Sequence, residues 1–236
     1  MPNWVYNIVN SDEETISKIK HDFDCEKDAS NFTFQKLIPM PKELDIESSS
    51  TGNDGLILLY HRLPEEKKRI TDEIKEFEVI TDEELQEMIM KAYLSLNTFH
   101  MREDVLKRKE RFLEFCCESE EYSKMLHLGV RYFLNWHRFD ECTCYNWRIS
   151  KWGSKWDACG CAFGDDGKTI MFTTAWDFPA GAMQALTRKY PDAMFEFKYA
   201  DEGIEENSGN IIAKNGEVIN YTLNFDSDQL EEIRGY

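Results

Sequence analysis

The chain has 236 residues, 42% of them apolar, with 45 acidic against 28 basic side chains and a net charge of −17. That length supports one large domain, or a small domain carrying an insertion, with enough apolar residues for a core. The acidic field works against broad contact with a nucleic-acid backbone, where Lys and Arg must replace counterions; no apolar run approaches the roughly 20 residues of a membrane span; and no basic-then-apolar leader opens the sequence, so an intracellular, cytoplasmic protein is expected.

Residues 4–9 alternate as a short strand, and Asp12 with Glu13 and Glu14 opens a helix whose apolar positions are Ile16, Ile19 and Phe23. Residues 32–38 read as a second strand, closed by Pro39 and Pro41, which cannot donate to a ladder. The Ser-, Gly- and Asn-rich stretch 43–54 reads as a mobile loop.

The period then changes. Thr81 with Glu84 forms a capping box, followed at helical spacing by Leu85, Met88, Ile89, Ala92, Tyr93 and Leu96. Val105, Leu106, Phe112, Leu113 and Cys116 suggest a second helix. Tyr122, Met125, Leu126, Gly129, Tyr132, Phe133 and Trp136 make the apolar stripe of a third. Such a stripe reads as a packing surface, and His127 and His137 beside it as structural residues rather than ligands.

Strands return at the end. Residues 155–163 and 169–176 flank Gly164-Asp165-Asp166-Gly167, a hairpin turn. Pro179 opens a helix with Met183, Leu186 and Tyr190 on its apolar face. Residues 194–199 alternate strictly, and 210–213 and 217–222 form a hairpin across Lys214-Asn215-Gly216. The order predicts an α+β fold: a ferredoxin-like split βαβ sheet with a helical insertion between the second and third strands. Residues 1–42 and 142–236 form the sandwich, and 60–140 the insertion.

Two groups of residues carry chemical interest. Trp152, Trp156 and Trp176, with Arg148 and Lys155, can form an aromatic and basic cleft that stacks a base and holds a phosphate. Asp157 joins them as a candidate ligand-binding residue and pairs with Asp177 as an acid/base candidate. The plain alternative is that the tryptophans pack sheet against helix while the charged groups stay solvated. Seven cysteines without a secretory leader argue against a disulfide framework. Cys142-x-Cys144 and Cys159-x-Cys161, if each pair lies on one face of a strand, can converge as a tetrahedral zinc site; otherwise they are buried thiols acting as small hydrophobes. No cofactor is otherwise expected.

Met1-Pro2-Asn3-Trp4, the stretch from Phe34 to Pro39-Met40-Pro41, Tyr145-Asn146-Trp147-Arg148, Trp152-Gly153-Ser154-Lys155-Trp156-Asp157 and Thr174-Ala175-Trp176-Asp177-Phe178-Pro179 together resemble the YubB-type ferredoxin-like family of phage and plasmid proteins. Ser154 departs from the family's commoner threonine and keeps the hydroxyl. The resemblance implies a mobile genetic element and a bacterial host cytoplasm. With the acidic surface, it leads to the expectation of an anti-defence inhibitor, such as an anti-CRISPR, that binds a host defence protein or a nucleic-acid-binding complex without catalysis. A nucleotide- or RNA-binding module, or an enzyme acting on a nucleotide signal through the tryptophan cleft, is the alternative.

Overall fold

The computed structural model describes residues 3–96 and 119–235. In chain order come β1 (Trp4–Asn10), α1 (Glu13–Asp22), α2 (Ser50–His61), α3 (Leu63–Thr71), α4 (Asp82–Leu94), α5 (Glu120–Phe139), α6 (Cys144–Trp152), β2 (Cys159–Phe163), β3 (Thr169–Ala175), α7 (Ala180–Lys189), β4 (Phe195–Asp201), β5 (Ser208–Lys214), β6 (Glu217–Leu223) and α8 (Ser227–Arg234). They fall into two compact units, Met1–Met40 with Arg148–Tyr236, and Pro41–Trp147. The expected helix around Val105 to Cys116 lies outside the described residues.

The first unit is a six-stranded sheet of order β2-β3-β1-β4-β5-β6 with every neighbouring pair antiparallel. Its first four strands have the ferredoxin-like split βαβ order, and the β5–β6 hairpin extends it. Val5 and Val9 of β1 are buried with Ile16 and Ile19 of α1, Met183 and Leu186 of α7, and Phe195 and Phe197 of β4. On the other face, Ile8 and Ala200 pack with Leu230 and Ile233 of α8, whose capping box joins Asp226 and Gln229. The β5–β6 turn at Asn215 (φ +50°) and Gly216 (φ +81°) has the left-handed geometry that Asn-Gly accepts.

The α+β, ferredoxin-like class stands, but residues 32–38 are not a strand. They include the short 3-10 turn Phe34–Lys36 and follow another at Ala29–Asn31. The alternating phenylalanines mislead, because Phe32 and Phe34 are both fully buried and both rings reach Phe172. The Phe34 N–H goes to the Asp157 carboxylate instead of a ladder. The insertion therefore follows β1 and α1, ahead of the sheet's second strand. That strand begins at Cys159, later than residue 155, because Gly153 to Trp156 turn and Asp157 caps local N–H groups.

The second unit is helical. Thr81 and Glu84 form the expected capping box at α4, and α5 carries the expected stripe, with Tyr122, Leu126, Tyr132 and Phe133 buried. The stretch 43–54 is not all loop, since α2 begins at Ser50. Its glycines permit close helix packing: a Cβ on Gly55 would collide with the backbone of Met125 and Gly129 on α5. Tyr132 holds the approach to α2, donating to the Glu47 carbonyl at 2.7 Å and accepting from the Ser49 N–H at 3.1 Å.

Candidate functional site

The Trp-Gly-Ser-Lys-Trp-Asp segment makes a corner between α6 and β2. Gly153 is required there: its φ is +85°, and a Cβ would lie 2.7 Å from the Ala180 nitrogen at the start of α7. Gly181 permits the same approach from the helix side, where a Cβ would strike the Lys151 carbonyl. Ser154 is buried and its hydroxyl donates to the Ala175 carbonyl at 3.5 Å.

The six candidate ligand-binding residues divide by environment. Trp152 is 2% exposed; its Nε1–H donates to the Ile38 carbonyl at 2.9 Å, and its ring meets Phe34 edge-on at 5.9 Å. Arg148 lies over that ring, 5.5 Å from its centre. Lys155 similarly covers Trp156 at 5.4 Å, and Trp156 leans on Trp4 at 5.7 Å. Asp157 accepts from the N–H groups of Phe34 (2.5 Å) and Ala158 (2.8 Å). Burial pushes its pKa above the ordinary carboxylate value, against the lowering pull of those N–H groups and the Arg148 charge.

Trp176 differs from the others. It is 51% exposed and sits at φ +75°, a region bulky residues rarely occupy and one that costs about 1–3 kcal/mol. Its N–H donates to the Asn3 carbonyl at 2.9 Å, and its carbonyl accepts from Asn207 Nδ2 at 3.1 Å. Asp177 accepts from the Phe178 N–H at 2.7 Å, so both carboxylates of the expected acid/base pair are engaged by backbone N–H groups, Asp177 within its own turn and Asp157 also across to Phe34.

The cysteine pairs are not both on strands. Cys142 precedes α6 and Cys144 begins it, in the helical unit or at its end, while Cys159 and Cys161 lie on β2 in the sheet unit. Cys142 points its thiol at the Ala92 carbonyl (3.7 Å) and Cys161 at the Phe32 carbonyl (3.5 Å). Burial pushes both thiols up to about 12, so in the metal-free protein they are neutral at physiological pH. Among the described residues, no group of three or more His, Cys, Asp or Glu is placed to hold a metal ion.

Sequence reading passed over Asn7 and Asp201. Asn7, 2% exposed, donates from Nδ2 to the Val5 carbonyl and to Thr174 Oγ1, both at 2.9 Å, tying β1 to β3. Asp201 is fully buried and accepts from the N–H groups of Gly203 and Ile204, both at 2.8 Å. Asp-x-Gly at a strand end is a turn signal that could have marked it.

Residues 151–235 match the family model for the ferredoxin-like domain in Api92-like protein. The Api92-like match begins at Lys151, in the last turn of α6, and runs through the tryptophan corner and β2 to α8, leaving β1, α1 and the helical unit outside it. Among solved structures, the chain is similar to protein api92 from Yersinia pseudotuberculosis, at 10% identity over 96% of this chain and 99% of that chain, with a TM-score of 0.39. The curated proteins contain no match. Among the described residues, no helix is long and apolar enough to cross a membrane.

Proposed function

We propose that the protein is an accessory factor of a phage or conjugative plasmid, of the YubB type, that binds and inhibits a host protein in the bacterial cytoplasm. The target is a component of antiviral defence, in the manner of an anti-CRISPR, and the inhibition is by contact, without catalysis or a cofactor. The observation that carries this reading is the acidic exterior of the helical unit. Helix α4 exposes Glu83, Glu84 and Glu87, with Glu83 and Glu87 one turn apart. A basic partner surface would complement these exposed carboxylates. The commitment of Trp152 and Asp157 to backbone hydrogen bonds supports the same reading over chemistry in the corner.

The test uses the full chain as bait in a bacterial host lysate, with capture followed by mass spectrometry and an activity assay on the captured protein. The expected result is one host protein held and inhibited by the wild type, with both effects lost in Glu83→Lys/Glu87→Lys. Capture and inhibition that survive this reversal would remove α4 as the contact surface.

The second reading is a nucleotide- or RNA-binding module, or an enzyme acting on a nucleotide signal. The cation over Trp156 and the exposed Trp176 favour it, since each offers a π-face near the corner. Tryptophan fluorescence titrated with nucleotides, and abolished in Lys155→Ala, would support it.

A further inference from the structure

Strand β6 ends the sheet, and among the described residues no strand pairs with its outer side. Val218, Ile219, Tyr221 and Leu223 are 59%, 56%, 64% and 51% exposed. Residues 218–223 contain no charge, proline or glycine, the usual means of blunting a free edge. The one irregularity is a bulge at Ile219, where Ala213 faces Val218 and Ile212 faces Asn220.

The register places Val218, Tyr221 and Leu223 beside Ala213, Ile211 and Gly209, and those in turn beside Phe195, Phe197 and Tyr199. One face of the sheet thus runs as an apolar surface from the buried core out to an exposed edge. Between α7 and this face lies a groove of about 250 Å³ lined by Met183, Phe197, Ile211 and Val218 among others. Helix α7 covers the inner strands and leaves β6 bare.

Charge along β6 is polar. At its Glu217 end the strand's own exposed carboxylate is matched by Lys214, its ladder partner, and Arg188, which lies against Gly216, leaves that end net positive. At its Leu223 end stand Asp226, beyond the strand, and Glu205 and Glu206 in the β4–β5 turn, where the Ser208 carbonyl accepts from the Asn224 N–H. In an antiparallel pairing of two such strands each acidic end meets a basic end, while a parallel pairing would set acidic ends together.

We propose that β6 is the interface through which two copies of this chain associate, antiparallel about a two-fold axis, joining their sheets edge to edge. The pairing is isologous: Val218, Tyr221 and Leu223 of both copies form one covered apolar surface, and Glu205, Glu206 and Asp226 of each face Arg188 and Lys214 of the other. Self-pairing is favoured over a strand from another protein because this charge order is complementary to itself. The proposal stands apart from the inhibitor reading and does not require it.

Sedimentation velocity on the full chain at physiological salt, across a concentration series, tests it. The expected result is a dimer that Tyr221→Lys and Val218→Asp each weaken by at least about tenfold in Kd. Both side chains are exposed in the single chain, so circular dichroism should be unchanged. Arg188→Glu should weaken the dimer, and adding Glu206→Arg should restore it. A chain that stays monomeric throughout, a dimer indifferent to both β6 substitutions, or a monomer that instead binds a basic extended peptide along β6 would each overturn the proposal.

Discussion

The sheet has two edges, and they are finished differently. At β2 the 3-10 turn Ala29–Asn31 packs against the strand, Cys161 points its thiol at the Phe32 carbonyl, Lys20 lies 4.8 Å from the centre of the Phe163 ring, and a register shift between Cys159 and Ala162 interrupts the ladder. At β6 every residue is exposed and nothing among the described residues pairs with the outer side. One edge is closed by its own chain through buried aromatic side chains. The other keeps both its backbone groups and its apolar side chains available, which is how a fold offers itself to another strand.

Substitutions can break this contrast. The largest effect should come from Phe34→Ala, which empties a fully buried site between Trp152 and Phe172 and should cost about 3–5 kcal/mol in urea unfolding. A loss below about 1 kcal/mol would mean that the turns closing the β2 side are not part of the core. Trp152→Phe should cost about 1–3 kcal/mol, because it leaves the part-buried Ile38 carbonyl without its donor.

Gly153→Ala should cost a similar amount, about 1–3 kcal/mol, from its positive φ and from the clash at Ala180. If thermal unfolding shows no change, the corner is looser than its geometry.

Asp157→Asn sharpens the contrast through pH. The folded pKa of Asp157 lies above its unfolded value, so the folded state holds the proton longer. Its contribution is favourable at low pH and is lost as pH rises from the ordinary carboxylate value through the raised folded one. The asparagine side chain would keep an acceptor for Phe34 and Ala158 without the charge. The variant should therefore gain stability relative to wild type at neutral pH and not at acid pH; a gap that stays constant across that range would show that the charge is not felt. The smallest effect is expected at β6, where Val218→Ala should change unfolding of the monomeric chain by no more than about 0.5 kcal/mol.

Much of this was legible in the residues. The capping box at Thr81, the α5 stripe and the Asn215-Gly216 hairpin each depend on local chemistry, and local chemistry is what a sequence displays most directly. What escaped depended on contacts distant in sequence. Phe32 and Phe34 alternate like a strand, yet the partner that claims the Phe34 N–H is Asp157. The polar start of α2 reads as loop until Gly129 supplies the helix that Gly55 must approach. The tryptophan motif signalled its importance without its use: Trp152 is core and Trp176 is surface, a distinction set by tertiary packing and not by residue type. Helix α8 did carry a local signal, Asp226 with Gln229, that was passed over.

The central position of β1 has a consequence for synthesis. Val5 pairs with Thr174 on one side and Asp201 on the other, so β1 is made well before either of its neighbours in the sheet exists. Residues 41–147 meanwhile form an unbroken stretch whose contacts close shorter loops, and they are complete before β2 is made. Until β3 and β4 are made, Val5 and Val9 have no sheet neighbour to bury them, and exposed apolar strand surface of that kind is what favours aggregation and chaperone binding during synthesis.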